Sequence, residues 1–338
     1  MKAASIFSVT VILVGLLFSS PTLSAQCVSG DCFTGKGAMN LPNGDRYEGM
    51  HKKGKKHGYG TYRSASGDVY QGMWENDIQN GEGEYWNPTG NHYKGTFVMG
   101  KMQGKGILTY SNNNVYEGEF FNDEMQGKGV FKFASGGEIK GSWVNGKTQG
   151  KVVYAYANGD LYEGEMVNNK RHGKGKLTSA KGEIYEGEWV NGNRQGQGNY
   201  TFPSGNVYVG SFANNQMNGK GVMTFATGSK YEGEFKNNQM TGFGKRVYTN
   251  GDVYEGQFLV GKMHGDGNYQ YASTGDKYQG AFVNDQKQGM GIYAFANGDK
   301  YEGKFSNNKR DEANGTYTSA KNASSRGVAG PSFVAKKP

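Results

Sequence analysis

Hydrophobic and polar positions along this chain repeat with two nested periods, one of two residues and one of 23. Short stretches alternate aromatic residues or glycine with charged residues, as in Tyr185-Glu-Gly-Glu-Trp189 and Gly196-Gln-Gly-Asn-Tyr200. Such alternation is typical of β-strands with one packed face, and turn residues between two stretches predict a hairpin. Each 23-residue unit therefore predicts two strands, with aromatic residues and glycines on the same face.

The longer period is marked by a tyrosine and by a glycine two residues after it. The tyrosine positions are Tyr47, Tyr70, Tyr93, Tyr116, Ile139, Tyr162, Tyr185, Tyr208, Tyr231, Tyr254, Tyr278 and Tyr301. The position four residues later is aromatic in ten of the twelve copies. Residues predicted to form the repeat core include Tyr47, Gly49, Trp74, Trp143, Tyr185, Gly187 and Trp189. A fixed period of this length indicates a repeat architecture, in which the aromatic stripe is core and not a ligand platform.

Composition supports a folded β-array over the usual low-complexity classes. Glycine accounts for 57 of the 338 residues and proline for 6, without the glycine at every third position that collagen requires. Disordered chains are poor in aromatic residues, whereas 13% of this chain is aromatic, at fixed positions in the repeat.

The N-terminus resembles an export signal. Lys2 precedes an apolar stretch at residues 6–18, and Leu23-Ser-Ala25 forms a cleavage site that would leave Gln26 first. The stretch is shorter than the ~20 residues that a membrane-spanning helix needs, although an uncleaved anchor and lipidation at Cys27 stay open. We expect an exported protein located in a periplasm, outside the cell or at the cell envelope.

Cys27 and Cys32 are the two cysteines of the chain. In an oxidising compartment they favour a disulfide that closes a short loop, with free thiols as the alternative. No further metal ligands lie near them in the sequence, so a metal site is not expected.

The repeat resembles the MORN repeat. The family pattern of Tyr-Glu-Gly-x-aromatic followed by Gly-x-Gly is seen, for example, as Tyr162-Glu-Gly-Glu-Met166 with Gly173-Lys-Gly175, and the resemblance extends from about Gly35 to Tyr317. It implies an all-β fold: an elongated, curved, single-layer antiparallel meander of about twelve β-hairpins. It also implies binding of lipid or protein and no catalysis. The fifth copy departs from the pattern, because Ile139 and Val152 replace its tyrosine and second glycine, which predicts a local change of curvature.

Three of the histidines, which are the usual catalytic candidates, recur at one position of the repeat. His57, His172 and His264 each lie ten residues after a repeat tyrosine and are whole repeats apart. With ~4.8 Å between strands, they are too far apart to share a site. We therefore predict no catalytic residues, no metal, no cofactor and no enzyme activity.

Acidic and basic residues occupy different positions of the repeat. First strands carry glutamates such as Glu163 and Glu186, and second strands carry lysines such as Lys174 and Lys176, which predicts a self-neutralised face. The connections within the hairpins carry an excess of lysine and arginine, which predicts a basic edge. The candidate contacts with an anionic surface are Lys52, Lys53, Lys55, Lys56, Lys170, Arg171, Lys309 and Arg310.

These observations predict a non-enzymatic, exported scaffold. Its segments are a signal peptide at 1–25, an N-terminal cap with a partial repeat at 26–46, the repeat array at 47–318 and a disordered basic tail at 319–338. The expected partner is a protein of unknown identity. The alternative is an anionic lipid or glycan bound through the basic edge. Nucleic acid is not expected, because most lysines face glutamates on neighbouring strands.

Overall fold

A computed structural model describes residues 24–320. Every secondary-structure element with both ends in that range is a β-strand. These residues form two units that divide after Asp123. The first unit contains β1 (Gln26–Gly30), β2 (Lys36–Asn40), β3 (Arg46–Lys52), β4 (Lys55–Arg63), β5 (Val69–Glu75), β6 (Ile78–Trp86), β7 (His92–Val98), β8 (Lys101–Thr109) and β9 (Val115–Phe121). The predicted signal peptide and basic tail lie almost wholly outside the described residues.

The second unit continues the same alternation of a seven-residue strand and a longer one. It contains β10 (Glu124–Lys132), β11 (Gly137–Val144), β12 (Lys147–Tyr156), β13 (Leu161–Val167), β14 (Lys170–Thr178), β15 (Ile184–Val190), β16 (Asn193–Thr201), β17 (Val207–Ala213), β18 (Gln216–Thr224), β19 (Lys230–Lys236), β20 (Gln239–Val247), β21 (Val253–Leu259), β22 (Lys262–Gln270), β23 (Lys277–Val283), β24 (Gln286–Ala294), β25 (Lys300–Ser306), β26 (Lys309–Arg310) and β27 (Thr316–Thr318). In this unit β26 and β27 both pair with β25.

Sequential strands within each unit pair antiparallel, and the register matches equivalent residues. In the seventh copy Tyr185 lies opposite Tyr200, and Gly187 lies opposite Gly198. The paired glycines leave room for the Tyr185 ring, because a Cβ atom at Gly198 would lie 2.6 Å from the Cε2 atom of that ring. The predicted all-β array of antiparallel hairpins is confirmed.

Two kinds of turn close the hairpins. Within the sixth copy, β13 and β14 are joined by Asn168 and Asn169, whose φ angles are 50° and 64°. Two central residues with positive φ define a two-residue hairpin turn that matches the twist of the strands. Between copies the connection is longer, and Gly159, with a φ of 87°, takes the left-handed position. Asparagine and glycine at these positions therefore determine the alternation of the two turns.

A β-bulge recurs inside most hairpins. In the seventh copy the register shifts between Gly187 and Glu188, and the opposing Gly196 has a φ of 65°. The first glycine of Gly-x-Gly thus supplies the bulge conformation, while the second lies beneath the tyrosine ring. The Glu188 carboxylate accepts a hydrogen bond from the Gln197 backbone N–H at 3.3 Å, which closes the bulge.

The N-terminal cap pairs β1 with β2. A disulfide joins Cys27 to Cys32, with their Sγ atoms 2.10 Å apart. Asp31 lies within the loop that the disulfide closes, and its carboxylate accepts hydrogen bonds from the backbone N–H groups of Phe33 and Thr34 at 2.8 and 3.0 Å. These hydrogen bonds fix the connection that leads into the first complete hairpin.

Candidate binding surfaces

One face of each unit carries a ladder of buried aromatic rings. In the second unit the Tyr185 ring makes edge-to-face contacts with Trp189 and Phe212, at centroid distances of 5.0 and 5.1 Å. In the first unit Tyr70 contacts Trp74 and Phe97 in the same way, at 5.1 and 5.0 Å. These tyrosines therefore join the ring of their own copy to the ring of the next, in the geometry that aromatic pairs prefer.

The predicted core residues are all part of this face. Tyr47, Trp74, Trp143, Tyr185 and Trp189 are each no more than 5% exposed. The ladder thus covers itself. The Tyr185 ring, for example, is enclosed by glycine backbone beneath it and by the Trp189 and Phe212 rings on either side.

The tyrosine hydroxyls are satisfied locally. The hydroxyl of Tyr185 donates a hydrogen bond to the backbone carbonyl of Glu188 at 2.9 Å, and that of Tyr47 donates to Met50 at the same distance. Burial raises the pKa of both hydroxyls to about 12. These hydroxyls keep their protons at neutral pH and act as structural donors.

Cationic side chains lie over the ladder in several copies. The Lys56 Nζ atom is 4.7 Å from the Trp74 ring centroid, and the Arg171 Cζ atom is 4.1 Å from that of Trp189. Burial lowers the pKa of Lys56, although the nearby carboxylates of Asp77 and Asp45 act to raise it. These are cation–π contacts within the fold.

The eight residues predicted to contact an anionic surface therefore fall into two groups. The exposed group comprises Lys52, Lys53, Lys55, Lys170 and Lys309. The second group comprises Lys56, Arg171 and Arg310, whose charged ends lie over aromatic rings; the Arg310 Cζ atom is 5.2 Å from the Phe295 centroid. The structure corrects the assignment of this second group to a basic loop edge, because these side chains begin second strands and fold back onto the ladder.

Both sets of turns are braced to the next copy. The Asp160 carboxylate accepts a hydrogen bond from the Ala180 backbone N–H at 2.9 Å, across one repeat. At the other set of turns, the Arg194 backbone N–H donates to the Asn215 side chain at 2.8 Å. The backbone bond to Asp160 is the largest cause of its lowered pKa. The sequence analysis missed this bracing, although an Asp or Asn followed 20 residues later by a small residue recurs along the chain.

The opposite face of the array carries the charged side chains. In the sixth and seventh copies these charges alternate in sign from strand to strand, as predicted from repeat position. One row across five strands of the second unit consists of Val153, Glu163, Lys176, Glu186 and Asn199. A parallel row places Lys174 opposite Glu188. Oppositely charged neighbours in such rows stabilise a sheet weakly when they are exposed.

These rows line a groove of about 830 Å³ that extends from Lys140 to Asn199. Its lining includes four lysines and four glutamates, so their formal charges cancel. The floor is formed by the backbone of Gly164, Gly175 and Gly187, which lack side chains. This surface is concave, polar and electrically balanced, which suits a partner that presents both signs of charge.

The histidines do not converge on a site. Among residues 24–320, no three His, Cys, Asp or Glu side chains are grouped closely enough to hold a metal ion. His51 occupies the aromatic position of the first copy, where it is buried against the Tyr47 ring with 5.1 Å between the ring centroids. It replaces a phenylalanine or tryptophan in the ladder. No helix in the same range is long and apolar enough to span a membrane.

Comparison with protein families decides the classification. The MORN repeat matches twelve successive segments: residues 47–69, 70–92, 93–115, 116–138, 140–161, 162–184, 185–207, 208–230, 231–253, 254–275, 278–300 and 301–323. The chain belongs to the MORN-repeat family. Eleven of the twelve MORN segments begin at a buried tyrosine, and the fifth begins next to Ile139, so the segments follow the ladder described above. The MORN repeat is commonly an interaction module for proteins or membranes.

Individual proteins add little to this assignment. No curated sequence matches the chain. Similar solved structures include the TCP domain of SAS-4 from Drosophila melanogaster in complex with a proline-rich motif of Ana2, at 15% identity and a TM-score of 0.24, covering 53% of this chain and 87% of that one. The TCP10 domain of Danio rerio CPAP is 13% identical, with a TM-score of 0.26 and coverages of 66% and 97%. At these scores neither likeness supports an inference about function.

Proposed function

We propose that this MORN-repeat protein is an exported binding scaffold that presents the charged groove of its second unit to a protein partner and catalyses no reaction. The observation that carries the proposal is the difference between the two faces of the sheet: one is a buried aromatic ladder, and the other is exposed and charged. The aromatic rings of the ladder pack against one another and are buried, so they are not exposed to a ligand. The charged face holds a concave surface whose lysine and glutamate side chains lie outside the buried aromatic core.

The equal numbers of positive and negative charges in the groove favour a protein as its binding partner over an anionic membrane. A purely anionic surface would be attracted by the lysines and repelled by an equal number of glutamates. A folded protein can place acidic groups against Lys174 and Lys176 and basic groups against Glu163 and Glu186. Complementarity of this kind fixes orientation and partner choice.

Export is proposed from the N-terminal sequence, and the Cys27–Cys32 disulfide supports it. Disulfides persist in secreted and envelope proteins and are rare in reducing compartments. Fractionation of the native cells would test this point. Recovery of the chain in the cytosol, with residues 1–25 intact and both thiols free, would contradict it.

A photo-cross-linking residue in the groove tests the partner class. It should be placed at Gln197 or Asn199, both exposed on the groove wall, and in a matched control at Gln257, exposed on the same face outside the groove. The groove probes should cross-link one defined protein of the envelope fraction, and the control should not. Equal labelling from all three positions would contradict a specific groove.

Anionic lipid is the second candidate, because Lys52, Lys53 and Lys55 form a dense exposed cluster around one turn. Each basic residue near an anionic membrane contributes about 1 kcal/mol. Vesicle flotation at physiological ionic strength, lost when these three lysines are replaced together by glutamine, would support this alternative. Lys56 is left unchanged in this test because its side chain packs on Trp74.

A further inference from the structure

A second polar cleft lies on the charged face of the first unit. It has a volume of about 270 Å³, and its charged lining residues are Lys36, Arg46, Glu48 and Arg63. Three cations and one carboxylate leave a formal charge of +2 around this small space. The charged groove of the second unit is neutral by the same count, so the two surfaces differ in the ligands they suit.

Two of these cations are in an unfavourable arrangement. Arg46 on β3 lies directly opposite Arg63 on β4. Directly opposed side chains on antiparallel strands have Cβ atoms about 5 Å apart, and like charges at that separation destabilise a sheet.

The equivalent position in other copies avoids this arrangement. The opposed pairs there are Val69–Trp86, His92–Thr109, Glu138–Ala155, Leu161–Thr178, Ile184–Thr201, Val207–Thr224, Lys230–Val247, Val253–Gln270, Lys277–Ala294 and Lys300–Thr318. None of these ten pairs holds two charges of the same sign. The arginine pair is therefore a departure specific to the first copy, and the hairpin does not require it.

The intramolecular partners of the two arginines are weak. Arg46 is 3.8 Å from the Glu48 carboxylate and donates a long hydrogen bond of 3.4 Å to the Asn40 side chain. The Arg63 side chain makes no hydrogen bond or ion pair with any residue in the range 24–320, while its backbone takes part in the sheet. The hydroxyl of Tyr59, which also lines the cleft, accepts a hydrogen bond from the Gln71 side chain at 2.8 Å, so its O–H group can donate to a ligand.

We propose that this cleft binds the doubly charged oxyanion of a phosphate monoester through Arg46 and Arg63. A phosphate monoester carries about two negative charges at pH 7, which matches the +2 of the cleft. Guanidinium groups offer paired donors to phosphate oxygens, and an anion between two opposed arginines removes their repulsion. Lys36 adds a third positive charge, and the hydroxyls of Tyr59 and Thr61 supply neutral donors. This site lies in the other unit from the charged groove and does not rest on the function proposed for that groove.

The soluble probe is glycerol 3-phosphate, titrated calorimetrically into the mature chain at constant ionic strength. We expect one site per chain and a thermal unfolding midpoint that rises with ligand. The Arg63→Thr variant should bind about 10- to 100-fold more weakly, because hydrogen bonds to a charged group are lost. The control, Lys230→Thr, removes one positive charge from the same opposed pair in the ninth copy. Lys230 takes the place of Arg46 there, and Val247 takes the place of Arg63.

The unfolding temperature of Arg63→Thr without ligand shows whether weaker binding results from a folding defect. Threonine occurs at this position in other copies, so Arg63→Thr should unfold at a temperature equal to or above that of the wild-type chain. Absence of wild-type binding, or equal weakening by Lys230→Thr, would overturn the proposal. Unchanged affinity in Arg63→Thr would also overturn it.

Vesicles distinguish the source of the phosphate monoester. Vesicles of phosphatidylcholine with phosphatidic acid present the group on a lipid. Retention that Arg63→Thr abolishes and glycerol 3-phosphate competes away would assign the cleft to a lipid headgroup. Binding of the soluble ester without vesicle retention would assign it to a soluble phosphorylated compound.

Discussion

Val152 lies directly opposite Gly141, at a position where the sixth and seventh copies pair two glycines. In those copies the tyrosine ring occupies the space above both glycines. In the fifth copy the tyrosine is Ile139, and a Cβ atom at Gly141 would lie 2.6 Å from the Val152 side chain. Val152 and Ile139 are both buried, so the valine side chain fills room that the missing ring leaves. The two substitutions compensate each other in volume.

This relationship predicts a strongly non-additive pair of mutations. Ile139→Tyr alone should destabilise by about 1–3 kcal/mol, because the new ring meets Val152 in a filled core. Val152→Gly alone should destabilise by leaving a cavity beside Ile139. The double variant restores the arrangement of the other copies, and its favourable coupling energy should be about 0.5–3 kcal/mol in denaturant unfolding. Additive effects would show that the two residues act independently.

Trp189 should be essential for the stability of its repeat. Trp189→Ala should lower the free energy of unfolding by about 3–5 kcal/mol, because the side chain is buried between Tyr162 and Tyr185 and supports Arg171. Trp189→Phe restores the residue found in other copies and should recover most of the loss. The exposed neighbour Val190 serves as a control, and its replacement by alanine should change stability by under about 0.5 kcal/mol. A loss from Trp189→Ala as small as that of the control would place the ring outside the core.

Lys56 should tolerate methionine better than alanine. Met102 and Met125 occupy the equivalent position in later copies, and methionine keeps the length that packs on Trp74. Lys56→Met should therefore stay within about 1.5 kcal/mol of wild type, while Lys56→Ala should destabilise more. Thermal unfolding of both variants checks this order. If methionine were the more damaging substitution, the charge of Lys56 would be needed and the packing account of this position would fail.

Alkaline pH should unfold the array as the tyrosines ionise. Burial raises the pKa of Tyr47, Tyr185 and Tyr208 to about 12, from an ordinary value of 10.0. A folded-state pKa above the unfolded value contributes stability that is complete below pH 10 and is lost as the pH rises toward 12. Tyrosinate absorbance and β-sheet circular dichroism should therefore change together in that range. Titration of these tyrosines near pH 10 with the sheet intact would contradict their burial.

The sequence predicted the hairpins and the aromatic core because both depend on period alone. Tyr185, Gly187 and Trp189 recur at fixed spacing, and alternation places them on one face. The sequence did not show that Arg171 would fold over Trp189, because a basic residue next to a turn is equally compatible with solvent exposure. The charged groove was also missed. The alternating signs of Lys176 and Glu186 were visible, but the curvature that makes their face concave depends on backbone geometry.

A charge exchange in the groove tests the proposed function most directly. Lys174→Glu combined with Glu188→Lys keeps an opposite pair at the same two positions and preserves the net charge of the chain. Affinity for the partner identified by cross-linking should fall at least about tenfold, since repulsive contacts at an interface are costly. Glu188→Lys also removes the hydrogen bond to the Gln197 backbone N–H, so Glu188→Gln, which keeps an acceptor there, serves as the control and should bind the partner more tightly than the exchanged variant. Circular dichroism should show that the sheet is retained, and vesicle flotation should match that of the wild type.

The same comparison of affinities can also contradict the proposed function. Calorimetric titration of the purified partner into wild-type and charge-exchanged protein gives the two dissociation constants side by side. A constant that the exchange leaves unchanged would remove the charged groove as the binding surface. Together with flotation lost in the variant of Lys52, Lys53 and Lys55, that result would establish the lipid alternative.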